Sequence, residues 1–121
     1  RVYLLVRWNR FSATKRRYNQ PWIIVRSVGT GSAFFLRLTL AQIGWRRILV
    51  EAGPQFANWL LVRKMIRGIA LSIVGFEGGS TLDACSAAFD GLGISGAVLE
   101  SAEVVESTLL SRWTELSAKP L

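Results

Sequence analysis

Blocks of hydrophobic and polar residues alternate along the chain, and they predict alternating strands and helices. Short apolar runs rich in β-branched and aromatic residues predict strands at 1–8, 21–28, 46–50, 69–74, 93–100 and 108–116. Apolar residues at one-turn spacing, or small-residue runs, predict helices at 33–43, from Pro54 onward and at 81–89. The polar, basic segment 9–20 is predicted to be a loop.

Local signals mark the ends of two of these helices. Ser32 suits the N-cap of the helix over 33–43, and Gly44 suits its C-terminal cap. Pro54 suits the first position of the next helix, where the N–H that proline lacks would have no partner.

The order of the predicted elements indicates the fold class. Strand, helix, strand, helix, strand predicts parallel pairing with crossover helices, and the last two strands would close the sheet antiparallel. We therefore expect an α/β protein of three layers with a mixed, mostly parallel sheet. At 121 residues the chain predicts a single domain over 1–121, either truncated or lacking disordered loops, because it begins at Arg1.

Composition limits the partners, catalytic groups and metal sites that the chain can have. The net charge of +7 favours an anionic partner, which could be nucleic acid, a membrane surface or a phosphorylated small molecule. With no histidine and a single cysteine, Cys85, the chain has no histidine-based catalysis and cannot build a zinc site. Arg63, Lys64 and Arg67 interrupt the most apolar stretch, which argues against a membrane span. A cytoplasmic protein without a metal is expected.

Two strand-to-helix turns are the candidate binding positions. One runs from Arg26 and Ser27 through Gly29-Thr30-Gly31 to Ser32, and the other runs from Glu51 to Pro54. Ligands of open α/β sheets bind outside the carboxyl ends of the strands, and helix N-termini attract anions. The first turn lacks the third glycine of a dinucleotide fingerprint. On these grounds a phosphate site and a pair of tight corners are equally supported.

The second turn also resembles a known family. Residues 48–55, Ile-Leu-Val-Glu-Ala-Gly-Pro-Gln, followed by Leu60-Leu61, resemble the "LVEGGP…LL" signature of the reductase domain of bacterial riboflavin biosynthesis. Looser similarity covers most of the chain. It includes 1–5 for the opening strand, 41–45 for a helix end, 65–71 and Gly78-Gly79 for a central strand, and 107–113 for a closing strand.

The resemblance implies a dihydrofolate-reductase-like fold and an NADPH-dependent reductase. Such an enzyme opens the ribosyl group of a phosphorylated, pyrimidine-like substrate, 5-amino-6-(5-phosphoribosylamino)uracil, to ribityl, and a homodimer would be expected. Glu51 would then be the catalytic residue that faces the nicotinamide or substrate. The implied cofactor-binding residues are Arg26 and Ser27 for the 2′-phosphate, Gly29 and Gly31 for the adenine-side loop, and Ala52, Gly53 and Pro54 at the helix start.

Two further hypotheses remain open. The family's substrate segment "SLDG" has no counterpart in residues 9–14, which favours a catalytically degenerate nucleotide-binding relative. The run Lys15-Arg16-Arg17, with Tyr18 and Trp22 nearby, would suit a basic module that binds single-stranded nucleic acid. A solvated loop explains the same run more simply, so nucleic acid is not the expected partner.

Overall fold

The computed structural model describes residues 2–51 and 53–120. They form a mixed α/β architecture with four α-helices and two sheets, one parallel and one antiparallel. The chain divides into two compact units, Arg1–Leu49 and Val50–Leu121.

The first unit contains a pair of parallel strands with a helix after each of them. Its elements are β1 (Val2–Val6), a short 3-10 helix (Trp8–Arg10), α1 (Phe11–Arg17), β2 (Ile23–Ser27) and α2 (Ala33–Ile43). β1 and β2 pair in register from Val2–Ile23 to Val6–Ser27. The predicted opening strands and their parallel pairing are confirmed.

The loop predicted for 9–20 is wrong, because these residues contain α1. Phe11 and Thr14 lie three positions apart and are half-buried, whereas the basic residues of this helix are exposed. Positions three apart share a helix face. The polar composition therefore marks a helix with one wide solvent face, which composition alone does not distinguish from a loop.

The local signals around α2 are confirmed. The hydroxyl oxygen of Ser32 accepts a hydrogen bond from the Phe35 N–H at 3.4 Å. Gly44 adopts the left-handed conformation with φ of 89°, and its N–H donates to the carbonyls of Leu40 and Ala41. Both ends of the helix are therefore set by residues adjacent to it in sequence.

The second unit packs helices on an antiparallel sheet of strand order β3-β5-β4. Its elements are α3 (Pro54–Val62), β3 (Gly68–Val74), α4 (Thr81–Leu92), β4 (Ile94–Val105) and β5 (Thr108–Ala118).

The closing antiparallel pair and the helix start at Pro54 are confirmed. Cys85 is fully buried. The core consists of Leu61, Cys85, Phe89, Ile94, Leu109 and Trp113.

The strand predicted for 46–50 is not formed. Residues 46–50 have no regular secondary structure and are exposed, with Leu49 82% accessible. Arg46 and Arg47 leave only three consecutive apolar residues, and no strand of the described residues pairs with them. Without that strand, two separate sheets replace the expected single, mostly parallel sheet. β3 pairs antiparallel with β5 and not with β1 or β2.

The turn between β4 and β5 stores backbone strain. Glu106 and Ser107 both have positive φ, 50° and 65°, as two-residue hairpin turns with primed geometry require. The Ser107 carbonyl accepts a hydrogen bond from the Phe76 N–H at 2.8 Å, which fixes the turn. Glycine and asparagine usually occupy such positions, so this turn has an unfavourable residue choice.

Ser107→Gly is therefore expected to raise the free energy of unfolding by up to about 1 kcal/mol. The left-handed conformation costs an L-residue about 1–2 kcal/mol, and the entropy that glycine loses on folding offsets part of the gain. Urea unfolding measures the difference. Ser107→Ala keeps the Cβ and should give no gain, so an equal gain for alanine and glycine would contradict the strain explanation.

Candidate functional site

The carboxyl ends of β1 and β2 are held side by side beyond the last paired residues. The Val28 N–H donates to the Val6 carbonyl at 2.8 Å, and the Trp8 N–H donates to the Gly29 carbonyl at 2.8 Å. The segments that leave the two strands therefore stay together. This is the edge at which α/β sheets bind their ligands.

The turn from β2 into α2 follows at that edge. The Gly29 N–H donates to the Ser27 hydroxyl at 3.1 Å, and the Gly31 N–H donates to the Val28 carbonyl at 2.9 Å. Ala33 and Phe34 then begin α2, and first-turn amides have no intrahelical acceptor. The turn thus ends at an eleven-residue helix whose N-terminus favours negative charge.

Both glycines of this turn are favoured by their backbone conformation, and Gly29 is favoured also by the packing around it. Gly29 and Gly31 have φ of 57° and 80°. A Cβ at Gly29 would lie 2.9 Å from the ring of Phe35, and a Cβ at Gly31 would lie 2.9 Å from Nε of Arg7. The side of Gly29 that a Cβ would occupy is therefore covered by a phenylalanine. At Gly31 that side is covered by an arginine.

Arg7 is the residue that the sequence interpretation missed. It directly follows β1, is exposed, and lays its side chain against Gly31 near the start of α2. A usable signal was present, because carboxyl ends of neighbouring parallel strands lie at the same sheet edge. A basic residue after β1 should therefore have been considered together with the turn after β2.

Arg26 and Ser27 lie at the end of β2 but face apart. They pair with Leu5 and Val6 of β1, and both are exposed. Side chains of successive strand residues leave a sheet on opposite faces. The Ser27 hydroxyl lies at the glycine turn, where it accepts the Gly29 N–H and can still donate its own hydrogen. Arg26 therefore leaves the sheet on the other face.

The second predicted turn belongs to the second unit. Glu51, Gly53 and Pro54 are exposed, and Ala52 lies outside the described residues. Gly53 is the N-cap of α3 with φ of −65°, and its carbonyl accepts the Ala57 N–H at 3.1 Å. A Cβ at Gly53 would meet no described atom within 4 Å. The backbone here does not demand glycine, and the space beside it is open to solvent.

Charge is divided very unevenly between the units. Residues 1–49 contain ten Lys and Arg and no Asp or Glu, giving +10. Residues 50–121 contain five Lys and Arg against eight Asp and Glu, giving −3, so the halves together make the +7 of the chain. An anion that approaches the glycine turn therefore meets no acidic group belonging to the same unit.

Neither a cluster of metal ligands nor a membrane-spanning helix is found in the described part of the chain. No group of three or more Asp, Glu or Cys side chains there could hold a metal ion. None of the helices in residues 2–51 and 53–120 combines the length and the apolar character needed to cross a bilayer.

No protein-family model matches this chain, and no curated protein is significantly similar to it in sequence.

Proposed function

We propose that the chain is an NADPH-dependent reductase of dihydrofolate-reductase-like fold, and that its first unit binds the phosphate groups of the cofactor. One observation carries the proposal. The Arg7 side chain lies against Gly31, at the joint carboxyl edge of two parallel strands and beside the N-terminus of α2. Guanidinium, helix amides and the Ser27 hydroxyl are the groups that commonly bind a phosphate.

The electrostatics favour NADPH over NADH. The 2′-phosphate adds a dianionic group, and arginine can bind a phosphate with two parallel hydrogen bonds. Because residues 1–49 contain no acidic side chain, this attraction is not opposed within the unit. We assign Arg7 the principal contact, with Ser27 beside it, and Arg26 a weaker contribution from the other face of the sheet.

The chemical step rests on the resemblance around residues 48–55. Bound NADPH supplies a hydride, and the acceptor would be the ribosyl carbon of a phosphorylated, pyrimidine-like substrate. Glu51 is proposed as the residue that faces the reacting groups, and Ala52, Gly53 and Pro54 as small residues that let a ligand approach the helix start. The open space beside Gly53 is compatible with that role. A cytoplasmic homodimer is part of the same proposal.

The cofactor assignment is tested by calorimetry with NADPH and NADH. Arg7→Gln is expected to weaken NADPH binding about tenfold, since a hydrogen bond to a charged group contributes about 1.5–3 kcal/mol. NADH binding should change less, and Arg26→Gln should have a smaller effect than Arg7→Gln. Arg16→Gln is the matched control, because it removes one positive charge from α1 without touching the turn.

Equal losses in the Arg7 and Arg16 variants would show that only net charge matters and would contradict the assignment. Binding of neither nucleotide would overturn it. If NADPH binds, its oxidation after addition of the pyrimidine substrate tests the reductase step, and Glu51 is the first residue to replace there. Tight binding without oxidation would indicate the degenerate nucleotide-binding relative.

A second candidate is binding of single-stranded nucleic acid by the first unit. The charge of +10 over 1–49 favours it, together with the exposed rings of Trp8, Tyr18 and Trp22. Basic surfaces with exposed aromatic rings bind single strands with little sequence preference. Affinity for an oligothymidylate that falls steeply with salt, without preference for NADPH over NADH, would favour this candidate.

A further inference from the structure

A groove runs between β1 and α1 in the first unit, apart from the glycine turn. Its volume is about 600 Å³, within the range of about 300–1,000 Å³ typical of small-molecule sites. Hydrophobic side chains from β1 and β2 supply half of the lining residues, including Val2, Leu4, Val6 and Ile23. The groove follows a strand of five residues, which is roughly 16 Å long at 3.3 Å per residue. Its shape suits an elongated, largely apolar ligand.

The charged residues that line the groove, within the described part of the chain, are both basic. They are Arg10 and Arg17, seven positions apart. At 1.5 Å per residue this spacing corresponds to roughly 10 Å along the helix. The Arg17 guanidinium lies 5.5 Å from the ring centre of Tyr18, which also lines the groove. A cation and an aromatic ring therefore line the groove together.

One residue on the helix side of the groove has a small side chain. Ala13 lies between the two arginines in sequence and lines the groove with only a methyl group. A larger side chain at Ala13 would project into the space, whereas Arg16 does not line the groove. The chain thus provides one position that can narrow the groove and a neighbouring arginine that serves as a control.

We propose that this groove binds a free amphipathic monoanion, specifically a medium-chain carboxylate. The hydrocarbon chain would lie on the strand side chains, and the carboxylate would accept hydrogen bonds from Arg17. Burial of apolar surface supplies affinity, and the carboxylate is paired with a guanidinium. The proposal does not rest on the reductase assignment, because Arg7, Gly29 and Gly31 do not line the groove.

Nucleic acid fits this groove less well than a carboxylate does. A strand of repeated phosphates would place charged groups along the apolar strand side chains, where they would lose water without gaining partners. The groove offers cations only from Arg10 and Arg17. A single head group with an apolar tail satisfies both the arginine and the hydrophobic lining.

Decanoate, kept below its micelle-forming concentration, is the probe, and calorimetry is the measurement. Arg17→Gln should weaken decanoate binding about tenfold, as expected for a lost charge-assisted hydrogen bond. Arg16→Gln should leave it unchanged. Decanol should bind more weakly than decanoate, and Ala13→Leu should weaken decanoate binding by narrowing the groove. Circular dichroism of each variant establishes that the fold is retained.

Several results would overturn the proposal. Equal weakening by Arg16→Gln and Arg17→Gln would indicate diffuse attraction and no defined site. Equal affinity for decanoate and decanol would remove the role of the arginine. Unchanged binding in a folded Ala13→Leu variant would place the ligand elsewhere. Binding to anionic phospholipid vesicles or to oligothymidylate, without binding of monomeric decanoate, would assign this surface to a membrane or to nucleic acid.

Discussion

Replacing Trp113 by alanine is expected to lower the free energy of unfolding of the second unit by about 4 kcal/mol, the largest stability effect that this structure predicts. Trp113 lies on β5, the central strand of the antiparallel sheet, and is 3% exposed. Its ring packs edge to face on Phe89 of α4, with centroids 4.8 Å apart. Alanine would leave a large cavity at the contact between sheet and helix.

Loss of the indole N–H adds little to that cost. The Trp113 Nε1–H donates to the Ser111 hydroxyl at 2.9 Å, and Ser111 can itself donate to the Leu71 carbonyl at 3.4 Å. When the tryptophan is removed, the buried serine keeps a partner in β3. The expected loss therefore comes mainly from the cavity and the missing ring contact.

Two further variants show how the loss of stability depends on the volume removed and on the exposure of the tryptophan. Trp113→Phe fills most of the space and lacks the N–H, so it should cost about 1–2 kcal/mol. Trp22→Ala removes a ring that is 57% exposed and should change stability by less than about 1 kcal/mol. Urea unfolding followed by circular dichroism measures all three. A loss below 1 kcal/mol for Trp113→Ala at an unchanged denaturant slope would contradict this description of the core.

Elements specified by neighbouring residues were predicted well from sequence. α2 is fixed by Ser32 before it and Gly44 after it, and both act on amides or carbonyls within one turn. Signals of this kind are contained in a short window of sequence. The antiparallel pair of β4 and β5 was also predicted, but β4 continues to Val105, beyond the predicted end at residue 100, and no glycine or asparagine marks its turn at Glu106 and Ser107.

Elements that depend on distant partners were not predicted. The apolar run at 48–50 has strand composition, but no strand of the described residues pairs with it, and pairing partners cannot be identified from composition. At α1 the reverse happened, because a helix was missed although it has a packing partner. Its half-buried Phe11 and Thr14 face the parallel strands, and that stabilising contact was invisible in a basic segment.

The candidate site also contains some features set by neighbouring residues and others set by distant ones. The turn at Gly29 and Gly31 was predicted from its glycines, and both have the positive φ that makes glycine favourable. What fills the space beside them, Phe35 and Arg7, depends on the packing of α2 and β1. Sequence therefore located the turn, whereas the contact of Arg7 with Gly31 depends on how the neighbouring strand is placed.

Gly93→Ala is expected to lower the free energy of unfolding by about 3 kcal/mol. Gly93 caps α4 with φ of 72°, where an L-residue is strained by about 1–2 kcal/mol. A Cβ there would also overlap the side-chain amide of Asn58, which donates to the Leu92 carbonyl at 2.9 Å. The backbone cannot readily relax, since the Gly93 carbonyl accepts the Lys119 N–H at 2.8 Å.

A double-mutant cycle separates the two causes. In an Asn58→Ala background the clash is absent, so Gly93→Ala should cost only the strain of the left-handed conformation, about 1–2 kcal/mol. Gly91→Ala is the matched control, because Gly91 lies inside α4 with no described atom within 4 Å of its Cβ position. It should stabilise the protein by about 0.5–1 kcal/mol, the helix propensity difference between glycine and alanine. Equal costs of Gly93→Ala with and without Asn58 would mean that the Asn58 side chain moves aside freely and that it does not hold α3 against the end of α4.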